Sequence, residues 1–293
     1  MGNYKITNAT SEESRTEYYS SELSANALFN FMGEYQYLED TIDRMAFLPR
    51  YYPENIEYLK ISKENTPLKE WYIPMTCFCD IPLHQMSYHA EGKAQTGYGK
   101  FSIALHKKFG INNGIQPVQY LNSNSIPTEE LRNAISILLS DNGQIYSDEA
   151  LISLSNHLFE YMRRIKPLDG SMKKWDKEGK KYVEIKKNFH DEHEWRYIPD
   201  FESDELPFLL YRQDDIIAES SSQFYTKSIT ETKNGLLNFS VSDIRYIFVD
   251  SILSREKLIS FIKRKQKGKR IPRAEKDILI SKILVYDEIK EDW

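Results

Sequence analysis

Strand-type and helix-type apolar patterns succeed one another along this chain without a regular β-α-β rhythm, and that irregularity constrains its fold more than any other feature. A doubly wound parallel sheet needs a crossover helix between successive strands. Irregular mixing fits an α+β protein instead, with a mixed or antiparallel sheet at its core and helices flanking it. Leu28, Phe29 and Phe31 form a short apolar strand, and Tyr35, Leu38, Ile42 and Met45 recur at helical spacing across 35–47. The run 48–59 is expected to be a loop stiffened by Pro49 and Pro53. Residues 71–83 are rich in strand formers and close on Asp80-Ile81-Pro82. A short helix and loop are expected over 87–97.

Two strands, 98–106 and 114–121, are expected around a turn at Asn112-Asn113-Gly114. Thr128 then starts a helix that stops at Asp141-Asn142-Gly143, and Ser147 caps another that runs to Pro167. The Lys-rich stretch 171–188 turns around Lys177-Glu178-Gly179. Strands are expected at 192–199, 244–251 and 278–287, with a helix over 254–266. A chain of this length buries roughly 75% of its unfolded surface, enough for one large core or two fused ones. The division expected is a polar leader, 1–24, and a single α+β domain, 25–293, carrying a basic helix near 254–273.

Charge and cysteine usage narrow the setting. A net charge of −5 repels nucleic acid in bulk, so any polyanion contact needs a local basic patch. The run 263–273 is such a patch: Lys263, Arg264, Lys265, Lys267, Lys269 and Arg270 stand there with no acid among them. It is suited to RNA or DNA phosphates, or equally to complementing a helix C-terminus. The 20 Tyr and 14 Phe give flat apolar bodies, which suit either a Tyr-rich core or a binding surface. The only cysteines, Cys77 and Cys79, are too close for an unstrained disulfide, so a reducing, cytoplasmic location is expected. No apolar run approaches the ~18 residues of a membrane helix.

Several chemistries lack their motifs. Neither G-x-x-x-x-G-K-[ST] nor G-x-G-x-x-G occurs, and Gly97-Tyr98-Gly99 is too short to cradle phosphate. Cys77, Cys79, His84 and His89, or His190 with His193, form an imaginable zinc set, but structural zinc favours Cys-x2–4-Cys knuckles. No metal is expected. Glu192 and Glu194 alternate with His193, a spacing that places both carboxylates on one face if the segment is a strand. They can work as a pair on developing charge, or Glu194 can simply bridge to Arg196.

Taken together, LFNF (28–31), FLPRYYPENIEYL (47–59), IPMTCFCDIPL (73–83), His89, the run 98–120, HEWRYIP (193–199) and DIRYIFV (243–249) resemble the AbiGi family of abortive-infection, phage-resistance proteins. The blocks cover most of 26–250, and FCDIPL and the run after Tyr98 are the most specific. Asn30 and Met32 stand where AbiGi relatives commonly carry His and Thr. More distantly, the LFNF strand, helix and Pro-bounded strand resemble the opening of DarT-like ADP-ribosyltransferases. That resemblance implies an ADP-ribosyltransferase-like fold and NAD as substrate. It places Asn30 against the nicotinamide ribose, and Glu194, aided by Glu192, at the oxocarbenium-like transition state.

Arg50, Asp80, His89 and Tyr98 are the remaining polar residues inside the family blocks and are expected to bind the cofactor. Asp80 can alternatively satisfy turn donors, Arg50 can pair with a phosphate or a structural acid, and His89 can orient substrate or cap a helix. The leading expectation is a phage-defence effector that transfers ADP-ribose to a nucleic-acid or protein target. The competing expectation is a non-enzymatic antitoxin that restrains a cognate toxin.

Overall fold

The computed structural model describes residues 24–292 apart from 64, 93–96, 141–148, 177–178, 180, 201–205, 208, 212–214 and 265–270. Along the chain come β1 (Ala27–Met32), α1 (Tyr35–Arg44), β2 (Ala46–Phe47), β3 (Arg50–Asn55), β4 (Ser62–Lys63), β5 (Thr66–Pro67) and β6 (Glu70–Cys79). They are followed by α2 (Met86–Ala90), β7 (Phe101–His106), α3 (Lys107–Asn112), β8 (Gln116–Pro117), β9 (Gln119–Leu121), α4 (Ile126–Ser140) and α5 (Glu149–Met162). Then come β10 (Ile165–Pro167), β11 (Asp169–Asp176), β12 (Lys181–Asn188), β13 (Glu194–Tyr197), β14 (Leu210–Tyr211) and α6 (Asp215–Ser228). The chain closes with β15 (Leu237–Asn238), β16 (Ile244–Val249), α7 (Ile252–Lys263), α8 (Arg273–Ser281), β17 (Ile283–Val285) and α9 (Tyr286–Ile289). The α+β class follows: a mixed sheet with helices packed around it.

The main sheet runs β17-β16-β7-β1-β6-β13-β8, with β3 and β14 also on β6. It is antiparallel except where β17 joins β16 in parallel. Alternation in β1 serves both faces: Leu28 and Met32 enter the cluster containing Leu38 and Ile42 of α1, and Phe29 packs opposite with Ile81 and Met86. Because both faces are covered, β7 is buried from Phe101 to Leu105. Its sequence therefore shows an apolar run broken only by Ser102 between Phe101 and Leu105, rather than a two-sided pattern.

Five sequence expectations need correction, one being the helix expected to run to Pro167, which ends at Met162 because Ile165–Pro167 pair with Gln119–Leu121. The helix expected to reach 47 stops at Arg44, because Met45 turns left-handed (φ 50°) and Ala46–Phe47 pair with Leu237–Asn238. The Pro-bounded loop contains β3, an edge strand in which Pro53 needs no outward N–H partner. The run 114–121 is not one strand: α3 precedes it, Gly114 turns at φ 72°, and its pieces bond to different neighbours, β8 to β13 and β9 to β10. The segment 278–287 is mostly not strand either. Its apolar run divides into the end of α8 and the short β17, a distinction that periodicity alone does not make.

At roughly 3.3 Å per residue the ten residues of β6 are long enough to take two partners along each edge. On one edge, Glu70–Met75 pair with β3 and Cys79 pairs with Phe29 of β1. Thr76, Cys77 and Phe78 lie between these pairings with no strand beside them there, so β1 and β3 diverge and the sheet forks. Asn30 bridges the gap: its side-chain amide donates to the Cys77 carbonyl at 2.8 Å.

Candidate functional site

The fork opens into a cavity of about 440 Å³. Asn30, Arg50, Tyr98, Glu192 and Glu194, all expected from sequence, line it together with Arg44, Thr76, Cys79 and Lys166. That volume is in the range of small-molecule sites. Residues from β1, α1, β3, β6, β10 and β13 meet there, so no local sequence window contains the site.

On one side stands a chain of charges. Lys187 Nζ lies 2.8 Å from Glu192, which lies 2.7 Å from Lys166. Lys166 reaches Glu194 at 2.8 Å, Glu194 accepts from Arg196 Nε at 2.6 Å, and Arg196 reaches Glu54 at 3.0 Å. Three carboxylates thus alternate with three cations, and the chain is formally neutral. Arg196 is fully buried and Glu192 and Glu194 nearly so. Isolated charges at that depth would be severely disfavoured, whereas alternating ones compensate each other. Burial pushes the Glu194 carboxyl up, but Arg196 and Lys166 outweigh it and hold the group well below the usual carboxylate range. Burial acts likewise on Glu192, and Lys166 and Lys187 again bring the balance down. Lys166, between two carboxylates, stays firmly protonated although burial alone would lower it.

The two glutamates do not share a strand. Glu192 ends a 3-10 turn, His190–Glu192, and His193 is left-handed (φ 44°), so only Glu194 belongs to β13. The Glu-x-Glu alternation is therefore broken, and the carboxylates converge because both are drawn to Lys166. The Glu194 N–H donates to the Tyr120 hydroxyl at 2.8 Å, which fixes the strand's first residue.

Tyr98 donates to the Glu192 carboxylate and accepts from Lys187 Nζ at 2.9 Å. Burial, and then the Glu192 charge, push its phenol well above the ordinary value, so it remains a donor. Its placement depends on two glycines. A Cβ on Gly97 would come within 2.3 Å of the Ala90 carbonyl oxygen, and one on Gly99 within 2.2 Å of the Met32 carbonyl oxygen. Gly99 also sits at φ 108°. Gly97-Tyr98-Gly99 is thus a close-packing device that sets Tyr98 against the ion chain.

Asp80 and His89 fall outside the cavity lining. Asp80 pairs with buried Lys107 at 2.7 Å, and the Lys107 ammonium lies 5.6 Å over the Trp195 ring. His89 Nε2 is 3.3 Å from the Glu192 carbonyl, so His89 supports the glutamate's turn. Burial and then Lys187 lower its pKa, which favours the neutral imidazole. Cys77 and Cys79 are free thiols whose pKa values are raised by burial, and among the described residues no group of three or more His, Cys, Asp or Glu is placed to hold a metal ion. Lys263 and Arg264 end α7, while Lys265, Lys267, Lys269 and Arg270 lie outside the described residues. Sequence reasoning missed Lys166, Lys187 and Glu54. Lys166 is 26 residues from Glu192, the nearer in sequence of its two carboxylate partners, and no spacing signal connects them.

No helix among the described residues is long and apolar enough to cross a membrane. No solved structure matches the chain. The sequence profile of a family described as abortive phage resistance protein AbiGi, antitoxin, matches residues 45–250. That span takes in β3, β6, the ion chain and β13, and it holds more than two thirds of the chain. The protein belongs to the AbiGi family.

Proposed function

We propose that this protein acts in abortive phage defence as an antitoxin, binding and restraining a cognate toxin protein. The observation that carries the reading is the family match across 45–250, whose description is that of an antitoxin. The geometry is compatible with a non-catalytic role: each carboxylate of the ion chain already accepts from a buried cation, an arrangement that ties β3, β10, β12 and β13 together. The test is expression of the full chain alone, and then together with its cognate toxin. The antitoxin reading expects normal growth alone and rescue of growth in co-expression. Toxicity of the chain by itself would overturn it.

A second reading has one specific observation in its favour. Asn30, Arg50, Tyr98, Glu192 and Glu194 line a single cavity of nucleotide size, the grouping expected of an NAD-using ADP-ribosyltransferase-like effector. In that reading Glu194 steadies the ribose carbon as nicotinamide leaves, and the chain is toxic when expressed alone. Asp80 and His89 then act as supports rather than as cofactor contacts.

A further inference from the structure

α5 lies on the outside of the fold yet presents an uncharged face. From Ala150 to Phe159 it holds no acid, lysine or arginine, although a surface helix normally turns charged side chains to water. Its inner side belongs to the core, where Leu158, Phe159 and Met162 pack with Ile135 and Ile165. Beside that side runs a second apolar stripe. Leu154 is 59% exposed, Tyr161 41% and Leu151 39%, and half-buried Leu158 joins them. At 3.6 residues per turn the four side chains fall within about 80° of arc, so they form one seam along the helix. A hydrogen bond from its hydroxyl to the Gln119 side chain holds Tyr161 in place there.

The spacing defines what the seam fits. Leu151, Leu154, Leu158 and Tyr161 stand three, four and three residues apart, the a/d rhythm of helix packing on helix. That rhythm reads the same in both directions. Turned end for end by a two-fold axis, the seam falls on itself: Leu151 meets Tyr161 of the second copy, and Leu154 meets its Leu158. Isologous pairing requires such self-complementarity. Charge then selects the direction. Glu149 opens the helix, and just past its end Arg163 and Arg164 both pair with Glu160, so two cations share one carboxylate. Antiparallel copies bring each Glu149 to the other's Arg164, whose side chain is partly exposed. Parallel copies would set Glu149 against Glu149 and arginine against arginine. Opposed helix dipoles favour the antiparallel direction as well.

We propose that α5 is a self-association surface, along which two copies of this chain pair antiparallel through Leu151, Leu154, Leu158 and Tyr161. A helix of 14 residues is about 21 Å long, so the interface is small and the dimer forms only at micromolar concentration or above. The inference stands apart from the antitoxin reading, since neither the seam nor its test involves a toxin.

The experiment is sedimentation velocity of the full chain at concentrations from about 1 to about 200 μM, which bracket a weak dimer. The sedimentation coefficient is expected to rise with concentration from that of a monomer towards that of a dimer. Leu154→Glu sets an acid into the seam of each copy and should weaken association at least about tenfold. Because the position is exposed, its melting temperature in dilute solution should match the wild type. Direction is read by mild oxidation of a mixture of Leu151→Cys and Tyr161→Cys chains, with the wild type as control for Cys77 and Cys79. The mixed disulfide dimer should predominate, because like positions lie about 15 Å apart in the antiparallel pair, beyond disulfide reach. A wild-type chain that stays monomeric throughout overturns the proposal, including the case in which Leu154→Glu impairs only toxin binding. A dimer that Leu154→Glu leaves intact overturns it too. Predominant cross-links between like positions overturn the antiparallel arrangement.

Discussion

Replacing Lys166 by Met removes the centre of the ion chain while keeping most of the side-chain volume. Lys166 holds Glu192 at 2.7 Å and Glu194 at 2.8 Å, with little solvent to screen either contact. Without it the two carboxylates become like-charged neighbours, each left with one cation, Lys187 and Arg196 respectively. Breaking a buried pair by deleting one partner costs about 3–5 kcal/mol. At about 2–3 °C per kcal/mol for a chain of this size, the expected fall in melting temperature is roughly 6–15 °C. The sign of the pH dependence is a second readout. In the wild type both folded carboxyls lie below their unfolded values, so their contribution is present above about pH 4.3 and is lost as pH falls below it. In the variant one carboxyl shifts upward, and its contribution is present at acid pH and lost as pH rises through the raised value. Thermal melts of the two proteins should therefore converge as pH is lowered from 7 to about 4. Adding Glu192→Gln to the variant should restore part of the loss by relieving repulsion. A fall below about 2 °C, or a pH-independent gap, would refute the reasoning.

Gly99→Ala should lower stability by more than about 2 kcal/mol, because φ 108° is strained for Ala and its Cβ would meet the Met32 carbonyl oxygen. Urea melts check the loss, and a wild-type midpoint would show that the backbone there yields easily. Glu194→Gln removes one carboxylate from a neutral chain and should cost about 3 kcal/mol by the same pair-breaking argument. At a temperature where that variant is folded, the antitoxin reading expects toxin rescue to persist. Rescue of a toxic chain's host by Glu194→Gln would instead support the transferase reading.

The parts of the fold legible in the sequence were those whose cause is local. Leu28 to Phe31, 71–79 and 244–249 are mostly apolar strand formers, and each lies in a strand of the main sheet. What escaped depends on partners distant in sequence. Pro53 marks a loop in isolation but an edge strand beside Tyr72. The run 278–285 is apolar but for Ser281 and Lys282, and only the open parallel edge of β16 decides which three residues become strand. Within the site, Asn30, Arg50, Tyr98, Glu192 and Glu194 were picked out through resemblance to known families, and their meeting in one cavity needed the fork. Lys166 had no such flag. A lysine before a proline at a helix end looks like a solvated cation until β9 and β10 pair and set it between two glutamates.

The fork and the ion chain have a common physical origin. Along β6 the backbone of Thr76–Phe78 lacks a strand on one edge, and a gap in a buried sheet leaves polar groups that need partners. Asn30 satisfies the Cys77 carbonyl from one side. On the other edge, β13 pairs through the same stretch, Glu194 to Cys79 and Arg196 to Cys77, and so carries its charges to the gap. Such charges can be buried there only in alternation, which explains why cations come from β10 and β12 and an acid from β3, the strand on the fork's far arm. Glu54 and Arg196 thereby link the two edges of β6. An apolar plug would close the fork at lower desolvation cost, since buried ion pairs seldom outdo hydrophobic replacements in stability alone. The alternating charges therefore account for an open, polar fork rather than for added stability.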